Sequence, residues 1–437
     1  MSIIKPSTIA GVMELLPEEQ FVFNKIKKII ENTFEENGFV SIETPLIEKD
    51  DILFAKGAGE TEKQIFRIES DTKKMSLRYD LTVPLARYVS QHFSDLTFPF
   101  KRYQIGKVYR GERNQKGRYK EFYQCDIDII GKDTLSILND ASLPYVIYNV
   151  FKKLNFEEVT FHVNNRKLLN GFFESLGIEK YSDVLRIIDK LAKIGKENTK
   201  KELLEYGLSI DVVNEILLFI SNDLNNKDLL NELSLKNKNG LYNEGLNELE
   251  KVYYYMLEFG IPEKNIKLDL SITRGLDYYT STVYETMLNG YEEIGSVCSG
   301  GRYENLAENF SNQKLPGVGM SIGLTRLFYQ LENLKLTDKF MENQINALFI
   351  PMSDEYNFYS IEGLNSLRKN KIKADIYLEG GKAKKKFNYA NKINAKYSII
   401  VGEEEFKNKK FSVKNMENGE QITIDKADLV EFIKNNL

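Results

Sequence analysis

KRYQIGKVYRGE (101–112) and EFYQCDIDIIG (121–131) decide the fold of this chain, because together they have the pattern of a long β-hairpin. The connecting residues 113–120, RNQKGRYK, are polar and contain a glycine, as hairpin loops often do. In the return strand, Gln124, Asp126 and Asp128 lie two apart and share one face. The alternate residues are Cys125, Ile127 and Ile129, and they pack on the core. The hairpin therefore predicts an antiparallel sheet with a polar bed on one face.

Three side chains of this hairpin suit a nucleotide. Arg110 offers a planar donor fork that can clamp an α-phosphate, and the carboxylate of Glu112 can accept from an adenine amino group. Phe122 can stack on the base. Taken alone, the Arg110–Glu112 pair is better explained by a cross-strand salt bridge, and Phe122 by core packing. The chain has neither a Walker A sequence nor a GxGxxG fingerprint, so a phosphate site has to rest on arginine.

A second informative stretch is RGLDYYTSTVYE (274–285). The guanidinium of Arg274 keeps its charge and fits phosphate or carboxylate. Tyr278 and Tyr279 each combine an apolar ring with a hydroxyl, so they can shape a pocket for a small polar ring. A tight turn into an ordinary strand, with the tyrosines in the core, explains the segment as well when it is taken alone.

Composition excludes several classes of protein. With 437 residues, 42% of them apolar and 28% charged, the chain predicts more than one globular domain. No apolar run approaches the roughly 20 residues of a membrane span, and the N-terminus lacks the pattern of a signal peptide. Two cysteines and two histidines argue against a disulfide framework, a structural zinc site and a histidine-based catalytic triad. The expected compartment is the cytoplasm.

Hydrophobic periodicity predicts two domains, residues 1–334 and 345–437. The first includes a helical insertion at about 178–242 that is rich in lysine and asparagine and carries no chemical motif. In the second, short apolar strands alternate with helices, a βαβ pattern that predicts a mostly parallel sheet. The net charge of −4 argues against non-specific polyanion binding, but the basic run KAKKK (382–386) leaves open either a nucleic-acid contact or a solvated face.

Several motifs resemble those of class II aminoacyl-tRNA synthetases. NGFVSIETPLIE (37–48) resembles motif 1, the hairpin resembles motif 2, and SIGLTRLF (321–328) resembles motif 3. RGLDYYTSTVYE and CSGGRYENL (298–306) resemble the two histidine-pocket signatures of the histidyl-tRNA synthetase family. LRYDLTVPLARY (77–88) resembles the amino-acid-binding segment of that family. Thr325 stands before the motif 3 arginine where glutamate is common in the family.

The resemblance implies a role for each site residue. Arg110, Glu112, Phe122 and Arg326 would bind ATP. The histidine-binding residues would be Asp80, Thr82, Gln124, Asp128, Arg274, Tyr279 and Tyr303. Arg274 and Arg110 would be the catalytic residues, with Arg274 at the reacting carboxylate and α-phosphate. Tyr278 and Asp126 are left to structural roles, and no protein side chain is assigned to a metal.

The resemblance also implies a fold, an activity and partners. The fold would be an α+β catalytic domain on an antiparallel sheet with the helical insertion, followed by an α/β anticodon-binding domain. The activity would be ATP- and Mg²⁺-dependent attachment of histidine to tRNA(His) by a homodimer. The alternatives are a non-catalytic histidine-binding regulatory subunit of ATP phosphoribosyltransferase, a class II synthetase for another amino acid, and a tRNA-binding module without catalysis. The presence of RGLDYY, GGRY, Arg110 and a C-terminal domain argues against all three.

Overall fold

The structure is a computed structural model, and it describes residues 3–55, 62–70, 72–111, 117–179, 181–221, 224–273, 279–304, 307–343 and 345–437. The chain divides into two compact units, residues 1–337 and 338–437. This division falls between the domain ranges predicted from the sequence.

An eight-stranded sheet dominates the first unit, in the order β1-β5-β6-β11-β10-β9-β7-β8. All neighbouring strands in it are antiparallel except β1–β5 and β7–β8, so the predicted antiparallel sheet is confirmed. A smaller antiparallel sheet has the order β2-β4-β3. The strands are β1 (Val40–Ser41), β2 (Ile47–Lys49), β3 (Arg67–Ile68), β4 (Met75–Leu77), β5 (Phe100–Tyr109), β6 (Glu121–Ile130), β7 (Val159–Asn165), β8 (Ile266–Leu268), β9 (Thr282–Leu288), β10 (Cys298–Tyr303) and β11 (Gly317–Gly323).

Helices cover the apolar face of this sheet. In α1 (Pro17–Glu36), the buried side chains recur at helical spacing, and Phe23 packs on Tyr123 of β6 with ring centroids 5.5 Å apart. The other helices of the unit are α2 (Asp50–Leu53), α3 (Thr82–Gln91), α4 (Leu138–Lys153), α5 (Arg166–Ser175), α6 (Tyr181–Ile188), α7 (Leu191–Glu205), α8 (Ile210–Ile220), α9 (Asn226–Lys236), α10 (Gly240–Glu258) and α11 (Leu324–Asn333). Helices α6 to α9 form the predicted insertion, and Gly195, with φ of 79°, breaks α7.

The hairpin predicted from 101–131 is the pair β5–β6, in register from Phe100 opposite Ile130 to Tyr109 opposite Glu121. Arg110 follows the last paired residue of β5, and its backbone N–H still donates to the carbonyl of Lys120. The opposite edge of β6 pairs with β11, which places Gly319 beside Asp128 and Ser321 beside Asp126. The polar bed therefore lies in the middle of the sheet, where both neighbouring strands fix it.

The second unit is an α/β domain with a five-stranded sheet in the order β13-β12-β14-β15-β16. The β12–β13 and β12–β14 pairs are parallel, as the βαβ pattern predicts, while β15 and β16 form an antiparallel hairpin across Asn418-Gly419 that makes the sheet mixed. Its elements are β12 (Ile345–Pro351), α12 (Asn357–Lys369), β13 (Ala374–Ile376), α13 (Ala383–Lys392), β14 (Ala395–Val401), α14 (Glu403–Asn408), β15 (Lys410–Asn415), β16 (Gln421–Asp425) and α15 (Leu429–Asn435).

Candidate functional site

A cavity of about 460 Å³ opens on the polar face of the eight-stranded sheet. Its floor comes from β6, β9, β10 and β11, and its rim from the start of α3, the hairpin and the start of α11. Seven of the residues predicted for the site line it: Asp80, Thr82, Arg110, Phe122, Gln124, Tyr279 and Arg326. Segments far apart in the sequence thus converge on one cavity. Glu112, Arg274 and Tyr278 lie outside the described residues, so their roles stay predictions.

Arg110 stands between two aromatic rings at this cavity. Its guanidinium carbon lies 4.4 Å from the ring centroid of Tyr79 and 5.0 Å from that of Phe122. Its Nε donates to the carbonyl oxygen of Tyr79 at 3.3 Å. Phe122 is half-buried and lines the cavity, so its ring is not part of the closed core. The rings and the carbonyl hold the donor fork of Arg110 at the cavity wall.

Asp128 and Tyr303 form a buried pair beside the cavity. The tyrosine hydroxyl donates to Asp128 Oδ1 at 3.1 Å, and Asp128 Oδ2 lies 2.6 Å from Nη2 of Arg102, which is fully buried. The Arg102 contact has the distance of an ion pair without the direction of a hydrogen bond. Burial raises the pKa of Asp128, and the charge of Arg102 opposes that shift.

Two glycines of β11 make room for this pair. A Cβ at Gly319 would stand 2.0 Å from Asp128 Oδ1, and a Cβ at Gly317 would stand 2.4 Å from the ring of Tyr303. On β10, a Cβ at Gly301 would stand 2.7 Å from the ring of Tyr279. Gly317, Gly319 and Gly301 are therefore required by the close approach of side chains on the polar face.

The GGRY strand is also fixed from the opposite face of the sheet. Arg302 donates from Nε and Nη2 to the fully buried carboxylate of Asp140 on α4, with the shortest contact at 2.7 Å. Thr282 and Tyr284 of β9 donate to the carboxylate and the carbonyl of the same residue, each at 2.7 Å. Asp140 therefore joins β9 and β10, and with them the tyrosine wall, which is formed by Tyr303 at the end of β10 and Tyr279 shortly before β9.

Asp80, just before α3, and Arg326, in the first turn of α11, both line the cavity. Asp80 Oδ1 accepts from the backbone N–H of Val83 at 3.0 Å, so the carboxylate also caps the first turn of α3. Burial raises the pKa of Asp80. Arg326 donates from Nη2 to the carbonyl of Ile294 at 2.7 Å. Thr325, where the sequence departs from the family pattern, accepts from the backbone N–H of Tyr123 at 2.8 Å and so ties α11 to β6.

Two acceptors in the cavity wall have no hydrogen-bond partner among the described residues: Gln124 Oε1 and Asp126 Oδ1. Gln124 also donates from Nε2 to Ser321 Oγ at 3.0 Å, which leaves its carbonyl oxygen as the unpaired end. Asp126 is 4% exposed, and burial raises its pKa to about 7 against the opposing charge of Arg102. A buried acceptor without a partner is costly, so this wall suits a ligand that brings N–H donors.

The structure places Asp126 in the cavity wall, whereas the sequence analysis left it to a structural role. Alternation along β6 places it on the correct face, but the sequence gives no sign that its oxygen lacks a partner. Arg118, Glu285 and Ser299 also line the cavity and were not predicted. Arg118 belongs to the QKGRYK segment of the hairpin, so its proximity to Arg110 is the one signal that could have identified it.

The free energy of unfolding of Asp126→Asn, compared with that of the wild type, is expected to be higher at pH 8 than at pH 5. The native carboxyl titrates near pH 7 and the unfolded one near 3.8, so between these values the native state binds more protons. Wild-type stability therefore falls as pH rises through this window, by up to about 1.4 kcal/mol per pH unit, and the amide does not titrate. Urea unfolding of both proteins from pH 5 to 8 measures the difference.

The exposed Asp211→Asn controls for the loss of one negative charge. A stability difference between Asp126→Asn and wild type that stays constant from pH 5 to 8 would show that Asp126 is ionised throughout the range.

Within the described ranges, no cluster of three or more histidine, cysteine, aspartate or glutamate side chains could hold a metal ion. The same ranges contain no helix of the length and apolar character that crossing a bilayer requires. Both cysteines are buried and unpaired.

Comparison with known proteins follows the same two units. Residues 11–327 match the family model of histidyl-tRNA synthetase, and residues 346–436 match that of an anticodon-binding domain. The chain is 55% identical over 435 residues to the histidine–tRNA ligase of Clostridium tetani, with 99% of both chains covered. It is 52% identical over 432 residues to that of Finegoldia magna, covering 99% of this chain and 100% of the other. A crystal structure of histidyl-tRNA synthetase from Nostoc sp. PCC 7120 aligns with a TM-score of 0.90 at 37% identity, covering 100% of both chains.

Proposed function

Because the chain belongs to the histidyl-tRNA synthetase family, we propose that it attaches histidine to its tRNA in two steps. Histidine and ATP first give histidyl-adenylate and pyrophosphate, and the histidyl group then passes to the terminal adenosine of the tRNA with release of AMP. The observation that carries the proposal is one cavity that joins a phosphate-type arginine, Arg110, to a wall of unpaired acceptors. Such a cavity can hold an anionic nucleotide and an amino acid rich in N–H donors side by side.

Histidine occupies the floor of the cavity in this proposal. Asp80 and Thr82 receive its α-amino group, a cation that matches the buried carboxylate of Asp80. The imidazole lies at the tyrosine wall, against Tyr279 and the Tyr303–Asp128 pair. Gln124 and, as an addition from the structure, Asp126 accept hydrogen bonds from the same ligand. An amino acid without a donor at the imidazole position leaves these buried acceptors unpaired, which disfavours its binding.

ATP occupies the rim of the cavity. Arg110 holds the α-phosphate, Phe122 stacks on the adenine, and Glu112 accepts from the adenine amino group. Arg326, at the start of α11, holds the γ-phosphate, and Arg118 adds a further positive charge at the cavity. The three arginines offset the negative charge of the triphosphate, while the carboxylates of the floor keep phosphate away from the amino-acid side.

The chemical step needs no protein nucleophile. The histidine carboxylate attacks the α-phosphorus, the bond to pyrophosphate breaks, and Arg274 and Arg110 stabilise the charge that grows on the α-phosphoryl oxygens. The sheet contributes by holding both substrates in line. Magnesium, which supplies charge neutralisation when bound to the phosphates, needs only one or two carboxylates from the protein. Among the cavity-lining side chains, Glu285 is suited to that role.

The second unit and the insertion serve the tRNA in this proposal. The match of residues 346–436 to an anticodon-binding domain supports recognition of the anticodon by the second unit. Its basic helix α13 carries Lys384, Lys385 and Lys392 around a depression that Tyr377 and Tyr389 also line, a surface that suits phosphate and base contacts. Helices α6 to α9 contact the acceptor arm of the tRNA in this proposal.

Charging of tRNA tests this function directly. Purified protein, ATP, Mg²⁺ and labelled histidine are incubated with a transcript of a histidine tRNA and, in parallel, with a transcript whose anticodon is changed. Labelled histidine is expected on the first transcript and much less on the second. A regulatory subunit would bind histidine without charging either transcript, and that result would reverse the proposal.

We further propose a cytoplasmic homodimer, which the resemblance of residues 37–48 to motif 1 supports. Val40 lies on the edge strand β1 and is 54% exposed, and Ile47 on the outer strand β2 is 48% exposed. Exposed apolar side chains on sheet edges are frequent in subunit interfaces. The two unpaired, buried cysteines are consistent with a reducing compartment.

The double variant Val40→Lys/Ile47→Lys is expected to sediment as a monomer at micromolar concentration, where the wild type sediments as a dimer. Two lysines would have to be desolvated in the interface, which costs several kcal/mol. Leu235→Lys, at an 85% exposed position on α9, is the matched control and should leave the dimer intact. A dimeric double variant would place the interface elsewhere.

A further inference from the structure

The first residue of α5 is an arginine in an unfavourable position for a cation. Asn165 caps this helix by accepting from the backbone N–H groups of Lys167 and Leu168, and Arg166 follows as the first helical residue. The partial positive charge of a helix N-terminus disfavours a cation by about 0.3–1 kcal/mol. Arg166 therefore needs compensating contacts away from its own helix.

Those contacts are made on both sides of residues 274–278. Nη1 of Arg166 donates to the carbonyl oxygen of Tyr279 at 3.0 Å, and Nη2 donates to the carbonyl oxygen of Thr273 at 3.4 Å. The backbone N–H of Arg166 donates to the carbonyl oxygen of Ser281 at 2.9 Å. One rigid guanidinium thus joins the residue before the segment to the residue after it.

Further hydrogen bonds fix the two ends to neighbouring helices. The hydroxyl of Thr273 donates to the carbonyl of Leu185 on α6 at 3.1 Å. The hydroxyl of Ser281 donates to Glu248 on α10 at 2.6 Å, and Asn165 donates to the same carboxylate at 2.9 Å. The hydrogen bond to Glu248 from Lys167 lowers the pKa of that carboxyl against the effect of burial. The ends of the segment are therefore held by α5, α6 and α10 together.

We propose that Arg166 is a positioning residue, which sets the place of Arg274 by fixing the backbone on both sides of residues 274–278. This inference rests on the proposed function, in which Arg274 acts at the reacting carboxylate and α-phosphate. Arg166 does not line the cavity, so it acts through the segment and not on the substrates. A displacement of about 1 Å in such a group can lower a rate about 10²-fold. The link from Thr273 to α6 makes the insertion part of the same support.

Arg166→Gln is expected to lower kcat of histidine-dependent ATP–pyrophosphate exchange by about 10- to 100-fold, while KM for histidine and for ATP changes by less than about threefold. Arg166→Lys should fall between Arg166→Gln and wild type, because an ammonium cannot span both carbonyls with the planar fork. Arg368→Gln is the matched control, since the Arg368 guanidinium also donates to a backbone carbonyl, that of Ala374, but lies in the second unit and does not contact Thr273 or Tyr279. It should keep nearly wild-type kcat.

A double-mutant cycle with Arg274→Ala separates positioning from a general structural effect. If Arg166 acts through Arg274, the double variant should be no slower than Arg274→Ala alone. Additive losses, or a rise in KM with unchanged kcat, would overturn the inference while wild-type exchange with histidine still upheld the proposed function.

Hydrogen exchange of the free protein gives a readout that does not depend on activity. Backbone amides of residues 273–281 should exchange faster in Arg166→Gln than in wild type or Arg368→Gln. Unchanged hydrogen exchange in residues 273–281 of Arg166→Gln would contradict the inference, whether or not the wild type is active with histidine. Absence of wild-type activity would by itself count only against the proposed function.

Discussion

Arg110→Ala is expected to lower the rate of histidine-dependent ATP–pyrophosphate exchange by about 10²–10³-fold, the usual effect of removing one donor that stabilises transition-state charge. The guanidinium is held at the cavity by the rings of Tyr79 and Phe122 and by the Tyr79 carbonyl. Its contribution grows as charge develops at the α-phosphate, so kcat should fall more than KM for ATP rises. Pre-steady-state adenylate formation at saturating ATP measures this.

Arg110→Lys keeps the charge and loses the planar fork, so it should recover only part of the rate. Arg67→Ala is a matched control, because Arg67 also stacks on a ring, 4.9 Å from the centroid of Phe54, but does not line the cavity. A rate within about threefold of wild type for Arg110→Ala would remove Arg110 from the chemistry.

Arg102→Leu is expected to destabilise the protein by about 3–5 kcal/mol at pH 8, the usual cost of removing one partner from a buried ion pair. Arg102 is fully buried and lies 2.6 Å from Asp128. Its charge also opposes the burial-driven rise in the pKa of Asp80 and Asp126. Without Arg102, this charge no longer opposes the effect of burial on the carboxyl groups of Asp80, Asp126 and Asp128, so ionising these groups becomes more costly.

The loss should shrink as pH falls. Removing Arg102 raises the native pKa of all three carboxyl groups further, so the variant binds more protons in its native state and gains stability relative to wild type toward pH 6. Urea unfolding at pH 6 and pH 8 gives both values. Asp128→Asn added to Arg102→Leu should recover part of the loss because it removes one uncompensated charge while an oxygen remains for Tyr303. Strictly additive losses would show that Arg102 and Asp128 are not coupled.

Local pattern was sufficient to predict the main sheet and the polar face of β6, while the family resemblance supplied most of the other cavity residues. The period-2 alternation of β6 places Gln124, Asp126 and Asp128 on one face, and the register with β5 and β11 confirms that arrangement. In the second unit, the βαβ pattern gives the parallel strands and Asn418-Gly419 gives the hairpin. In both units, the alternation of a residue with its immediate sequence neighbours shows which face of the strand its side chain lies on.

Contacts that depend on register between distant segments could not be predicted. Arg102 and Asp128 are 26 positions apart, and only the strand pairing shows that they are direct neighbours. The close approach of Asp128 to Gly319 likewise depends on how β11 pairs with β6. The bonds from Arg166 to Thr273 and Tyr279 join positions more than 100 residues apart. Such contacts are set by topology, which no local window of sequence contains.

The central claim is that one cavity activates histidine and no other amino acid. The most direct measurement is ATP–pyrophosphate exchange by the purified protein, run with each of the twenty amino acids at equal concentration. Exchange is expected with histidine alone, because side chains without suitably placed N–H donors leave the acceptors of Gln124 and Asp126 unpaired. No exchange with histidine, or exchange of equal rate with another amino acid, would contradict the account.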